Sequence, residues 1–150
     1  MGDNVDVHST FEQDWRADVH LRPSSMMLCL YTGLDLPDCC EPMLRDPHPD
    51  TGTLWGDHFM DAYFTALKIN PAVHDGAVGI GRIDFTAPYA VRAWSLRLFP
   101  SPMGTIAEAN RGSAFNSCLA MSSVAGIDRL YLVTAGQLVC FEKGAWRSIA

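Results

Sequence analysis

An α/β domain with more strands than helices is what this sequence predicts, on three observations. Strand-like runs, either continuously apolar or alternating with period two, recur from residue 26 to the C-terminus. One amphipathic helix precedes most of them, and a second helix, rich in small residues, interrupts them. With 150 residues, 48% of them apolar, the chain is long enough to bury a real core in one domain.

Residues 1–25 read as an N-terminal extension carrying a short helix over Thr10–His20. Thr10 caps it, Gln13 takes the reciprocal capping position, and Pro23 ends it. The run MMLCLYTG (26–33) is a compact apolar strand closed by Gly33. Residues 34–52 contain four prolines and a Thr-Gly, which predicts a long, exposed, mobile loop with neither ladder nor packed helix. The helix expected over 54–69 repeats Leu54, Trp55, Phe59, Met60, Tyr63, Phe64 and Leu67 at three- and four-residue spacing. Asp57, His58 and Asp61 share its other face, which the periodicity reads as a solvated acidic surface rather than a metal site. Asn70-Pro71 stops it.

Strands are then expected at Ala77–Ile83 and Val91–Phe99. In the second, alternation places Arg92 and Arg97 on opposite faces. Residues 100–112 form a Pro/Gly-containing connection with a helical turn at Ile106–Asn110. SAFNSCLAMSSVAG (113–126) is a helix of small residues ended by Gly126. A strand, a tight Ala-Gly turn, a second strand and a third after Lys143-Gly144 complete the chain.

Charge narrows the partners. Residues 1–61 hold twelve acids against three Lys/Arg (−9), and residues 62–150 hold five against eight (+3). The later part suits an anion, but two lysines in all and no basic stripe argue against nucleic acid. No apolar run approaches the roughly 18–20 residues of a membrane span. The opening MGDNVDVHST lacks the basic and apolar regions of a signal peptide and has Asp6 where a myristoylation site needs Ser or Thr, so a cytoplasmic location is expected. Five cysteines, three of them in or beside apolar runs, suit burial as free thiols in a reducing compartment. Cys39-Cys40 is the one pair placed to bind metal or oxidise, although its spacing matches no zinc pattern.

The segment NPAVHDGAVGIGR (70–82) is similar to the histidine–aspartate–glycine–alanine segment of diadenylate cyclase domains, which make cyclic di-AMP from two ATP molecules. The resemblance extends over 54–148, with RGSAFNSCLAMSSVAG falling where the family has a glycine–threonine–arginine–histidine–arginine stretch opening a small-residue helix, and it takes in the 26–33 strand. It implies a single domain over 26–150, loop 34–52 included, with a central mixed, twisted sheet flanked by helices. By the same resemblance Asp75 is the metal ligand and, in an active member, the catalytic carboxylate, with Mg²⁺ or Mn²⁺ as the ion. Gly76 and Ala77 let nucleotide and backbone approach closely. Gly112 and Ser113 match the family's glycine and threonine, so a helix start would offer N–H groups and a hydroxyl to phosphate.

The chain departs from the family where its arginine–histidine–arginine triplet falls on Ala114, Phe115 and Asn116, and where a glutamate is replaced by Ser123. Each lost arginine–phosphate pair removes about 1.5–3 kcal/mol. The first reading is therefore a sensor module that binds a nucleotide or cyclic nucleotide through His74, Asp75, Gly76, Ala77, Arg111, Gly112, Ser113 and Asn116, without cyclase activity and with no cofactor of its own. The ligand should carry less charge than ATP. A second reading is an active cyclase using a metal at Asp75 with Arg111, aided by Arg92 or Arg97. A third is an interaction domain without ligand, meeting a protein partner or a second copy. Plainer roles stand beside these: Asp75-Gly76 as a turn, His74 as a hydrogen-bonded loop residue, Ser113 as a helix cap, and Phe115 and Cys118 as core.

Overall fold

Apolar strands that are buried on both faces need layers of helix on each side, and the chain meets that need with a seven-stranded mixed sheet between helical layers. The computed structural model describes residues 7–17, 22–56, 58–99 and 112–149. In chain order the elements are α1 (Val7–Ala17), β1 (Met26–Thr32), β2 (Cys40–Pro42), α2 (Phe59–Ile69), β3 (Ala77–Arg82), β4 (Ala90–Leu98), α3 (Ser113–Met121), β5 (Ile127–Thr134), β6 (Gln137–Glu142) and β7 (Ala145–Ile149). The sheet order is β2-β4-β3-β1-β5-β6-β7. β1 and β3 run parallel, from Leu28 opposite Val78 to Thr32 opposite Arg82, and every other pairing is antiparallel. Parallel neighbours need a crossover, and α2 lies within it.

The face covered by α1 and α2 buries Phe11, Trp15, Phe59, Tyr63 and Ala66 against Leu28, Leu30, Val78, Ile80 and Trp94. The face covered by α3 buries Phe115, Cys118, Leu119 and Met121 against Cys29, Ala77, Leu130, Leu132 and Phe141. The two hairpins close as expected: Thr134 pairs with Gln137 and Glu142 with Ala145, leaving the two-residue turns Ala135-Gly136 and Lys143-Gly144.

Four elements differ from the sequence expectation. The segment 34–52 is not all loop, because Cys40–Pro42 pairs with Leu96–Leu98 as the edge strand β2. Pro42 is tolerated there because an edge strand leaves one side without ladder bonds. The helix expected over 54–69 begins only at Phe59. Residues before it extend the same sheet edge: the Gly52 amide donates to the Val91 carbonyl, Val91 to Thr53 and Trp55 to Tyr89, each at 2.8–2.9 Å. The first helix spans Val7–Ala17, so Thr10 lies inside it and does not cap it, and Phe11 and Trp15 share the sheet's core. Helix α3 ends at Met121, well before Gly126. Ser122 leaves it to serve the β6–β7 turn, its carbonyl accepting from the Lys143 amide at 3.0 Å and its hydroxyl from the Gly144 amide at 2.9 Å. The helical turn expected at Ile106–Asn110 lies outside the described residues.

Candidate functional site

The stop at Asn70-Pro71 delivers the Asp75-Gly76 corner. The Asn70 amide still bonds to the Ala66 carbonyl, while its side-chain oxygen accepts from the Ala72 amide at 3.1 Å and starts a 3₁₀ turn over Pro71–His74. His74 sits on that turn with its Nδ1 2.8 Å from the Pro71 carbonyl, so that nitrogen is the donor. Its Nε2 lies 3.3 Å from the Asp75 carboxylate, an ion pair when His74 is protonated. Both side chains are more than half exposed.

Gly76 follows with φ of +81°, a left-handed conformation that favours glycine. The space around it also excludes a side chain: a Cβ would lie 2.6 Å from the Leu96 carbonyl oxygen and 2.8 Å from Met43 Cε. Ala77 then enters β3 fully buried. Across the α3 face, Gly112 precedes the helix with φ of +86° and Ser113 opens it.

A cavity of about 260 Å³ joins these two corners. Gly76 forms part of one wall and Ser113, Ala114 and Ser117 of α3 another. Leu96, Arg97 and Leu98 of β4, together with Met27 and Met43, complete the lining. Among the described lining residues Arg97 is the cation. Its guanidinium lies 4.0 Å from the Met43 sulfur and 5.9 Å from the centre of the Phe99 ring.

Of the residues expected at the site, Gly76 and Ser113 are brought together, 37 positions apart in sequence. Gly112 adjoins the cavity through Ser113, and His74 and Asp75 adjoin it through Gly76, without lining it. Asn116 bends back, its side-chain NH₂ donating to the Gly112 carbonyl at 3.1 Å. Phe115 faces away into the core, 5.0 Å from the Phe141 ring and 5.3 Å from Trp146, and Cys118 is buried beside it, so both take the plainer role. Arg111 lies outside the described residues. Only the first position of the replaced triplet, Ala114, lines the cavity.

Met27, Met43 and Leu98 had no site signal in the sequence, whereas Arg97 was a candidate of the active-cyclase reading. Met43 is carried there by β2, its amide donating to the Ser95 carbonyl at 2.9 Å. Ser95, fully buried at φ of +59°, sits where the β3–β4 register shifts, and it breaks the alternation used for Arg92 and Arg97. Arg92 acts elsewhere: burial raises the Tyr31 phenol and the Arg92 charge partly offsets it.

Asp75 was the expected metal ligand. Among the described residues, no three His, Cys, Asp or Glu side chains gather to hold an ion, His58 and Asp61 included. Asp57 lies outside the described residues. A lone exposed carboxylate would leave Mg²⁺ dependent on ligand phosphates and water for most of its coordination.

No family model matches the sequence, and no curated protein matches it. Solved structures do. Over 96% of this chain, the fold is similar to a hypothetical membrane-spanning protein from Bacillus cereus (TM-score 0.61, 15% identity) and to a double mutant of DacA from Staphylococcus aureus (TM-score 0.51, 13% identity). The chain spans 62% of the length of the first and 86% of the second. Among the described residues, no helix is long and apolar enough to cross a membrane. At these identities the likeness is one of fold alone: the α/β architecture is distantly similar to that of the DacA structure.

Proposed function

We propose that this chain is a nucleotide- or cyclic-nucleotide-binding module on a diadenylate-cyclase-like fold, without cyclase chemistry. The observation that carries the proposal is the cavity shared by Gly76 and the start of α3, walled by Ala114 where a cyclase would place a basic side chain. Its volume of about 260 Å³ lies just under the roughly 300–1,000 Å³ of common small-molecule sites. The positive end of the α3 dipole and the Ser113 hydroxyl favour one anionic group, worth about 0.3–1 kcal/mol for an exposed helix terminus and up to about 2 when partly buried. That suits a single phosphate and falls short of three. Met27, Met43 and Leu98 offer an apolar wall to a base.

Calorimetry and melting-temperature shifts with AMP, cyclic AMP, cyclic di-AMP and ATP test this. A ligand at 100 times its Kd stabilises the fold by about 2.7 kcal/mol. The expected result is tighter binding of a mononucleotide or cyclic nucleotide than of ATP, with no cyclic di-AMP formed from ATP with Mg²⁺ or Mn²⁺. Metal-dependent product lost in Asp75→Asn would establish an active cyclase instead, and tightest binding by ATP weakened in Arg111→Ala would favour that reading over this one. No shift with any of the four would favour an interaction domain.

A further inference from the structure

The cavity beside Gly76 has three polar side chains in its described lining, and they come from two elements. Ser113 and Ser117 are one turn apart on α3, so they share a face of that helix. Arg97 of β4 is the third. Glu41 is its cross-strand partner in the β2–β4 ladder, yet the two side chains form no ion pair. The exposed guanidinium rests instead 4.0 Å from the Met43 sulfur, a weak acceptor, and 5.9 Å from the centre of the Phe99 ring. No carboxylate stands among the described lining residues. The charge of Arg97 at this cavity is thus left for what enters it.

We propose that Arg97 reads the single phosphate of a nucleotide in this cavity, and that the cavity does not read the base. The proposal rests on the nucleotide-binding reading above and narrows it. A guanidinium offers five N–H donors in a fixed fork and no acceptor, and each serine hydroxyl can donate one more hydrogen bond. All three groups therefore match the acceptor oxygens of one phosphate, with Arg97 supplying the charge-assisted bonds. The apolar part of the wall includes Met27, Met43 and Leu98. Thioether and alkyl groups hold a flat ring by contact, but they do not tell a donor edge from an acceptor edge. Strong discrimination between such edges needs polar partners that the wrong ligand would leave unpaired. Once the phosphate engages Arg97, Ser113 and Ser117, the described lining keeps no polar side chain for that task. Ligands should therefore be sorted by their phosphate, and purine and pyrimidine monophosphates should bind alike.

Calorimetry with AMP, CMP, ribose 5-phosphate and adenosine, on the wild type, Arg97→Gln, Arg97→Lys and Glu41→Gln, tests this. AMP and CMP should bind within about 3-fold of each other, since contact alone separates their rings. Adenosine should bind at least about 10-fold more weakly than AMP, the loss of one charge-assisted interaction. Arg97→Gln should bring AMP down to the level of adenosine and leave adenosine unchanged, and Arg97→Lys should fall between the two. Glu41→Gln removes a negative neighbour and should leave AMP binding equal or tighter. Equal weakening of AMP and adenosine in Arg97→Gln would mean that Arg97 only shapes the wall, and would overturn the proposal. So would AMP binding unchanged in Arg97→Gln, or a difference of more than about 10-fold between AMP and CMP; either result leaves the nucleotide-binding reading standing. Ribose 5-phosphate that binds as tightly as AMP and is lost in Arg97→Gln would uphold Arg97 as the phosphate residue and retire the nucleotide reading. No binding by any of the four would overturn both.

Discussion

On the face covered by α1 and α2, the rings of Phe11, Trp55, Phe59 and Tyr131 meet at centroid distances of 4.6–6.4 Å, and a buried carboxylate locks the layers together. Glu12 of α1, 6% exposed, receives both Arg147 guanidinium nitrogens at 3.1 and 2.9 Å and the Tyr131 hydroxyl at 2.6 Å. Arg129 stands 3.4 Å from the same carboxylate and 3.0 Å from Glu142. The other face carries cysteines, Ala77, Ala93 and a cavity. One face is filled by large rings and fully paired charge, and the other leaves room beside a bent strand. The filled core and the cavity thereby lie on opposite sides of one sheet, and substitutions on the two sides should separate stability from the proposed binding.

The largest expected effect is on the filled face. Glu12→Ala takes the carboxylate from Arg147 and leaves Arg129 with Glu142 alone, and should lower the unfolding free energy by about 3 kcal/mol in urea titrations. Its pH dependence has a definite sign. Burial alone would raise the Glu12 carboxyl, but hydrogen bonds from Arg147 and Tyr131 and the two guanidinium charges bring it below its ordinary value of 4.5. A folded-state pKa below the unfolded one gives stability that is present in full above about pH 4.5 and is lost as pH falls through the folded value. The difference between wild type and Glu12→Ala should therefore narrow as urea titrations move from pH 7 below pH 4.5. A constant difference would mean that packing, not charge, joins α1 to β7. Ligand affinity should not change.

Gly76→Ala acts on both properties. The left-handed backbone costs a side chain about 1–2 kcal/mol, and contact with the Leu96 carbonyl adds to that. A loss of about 2 kcal/mol in stability should accompany weaker nucleotide binding by calorimetry. Lost stability with unchanged affinity would detach the cavity from the ligand.

Ala114→Arg should have the smallest effect on stability, within about 0.5 kcal/mol for an exposed helical position. It returns a basic group to the cavity wall, and one charge-assisted bond to phosphate is worth about 1.5–3 kcal/mol, or 10-fold and more in ATP affinity. Unchanged ATP binding with a gain for neutral nucleosides would show that phosphate lies elsewhere.

Much of the fold was legible because local rules and global packing agree on it. The apolar run at 26–32, the Asn70-Pro71 stop, the strand after Gly76 and the two-residue hairpin turns each follow from residue type and period. β2 was not legible: prolines in Cys40–Pro42 and its surroundings signal a loop, and only the open edge of β4 makes a short strand there favourable. The start of α2 failed for the same reason, since Leu54 and Trp55 fit a helical period but are drawn to that edge, Leu54 as a bridge to Ala90. At the site, residue identity pointed to Gly76 and Ser113 but could not say which of Ala114, Phe115 and Asn116 looks outward. That depends on how α3 rolls against the sheet, and the burial of Phe115 against Phe141 and Trp146 decides it.

By itself the sequence determined the α/β class, the order of its long strands, the two glycine corners and the lack of basic groups at 114–116. These are local matters of period, backbone freedom and charge. Tertiary structure alone decided that Met43 and Arg97 join those corners and that Glu12 anchors the first helix to the last strand. Such contacts arise when a bulged strand bends and a helix docks, and they depend on distances between segments that no local pattern encodes.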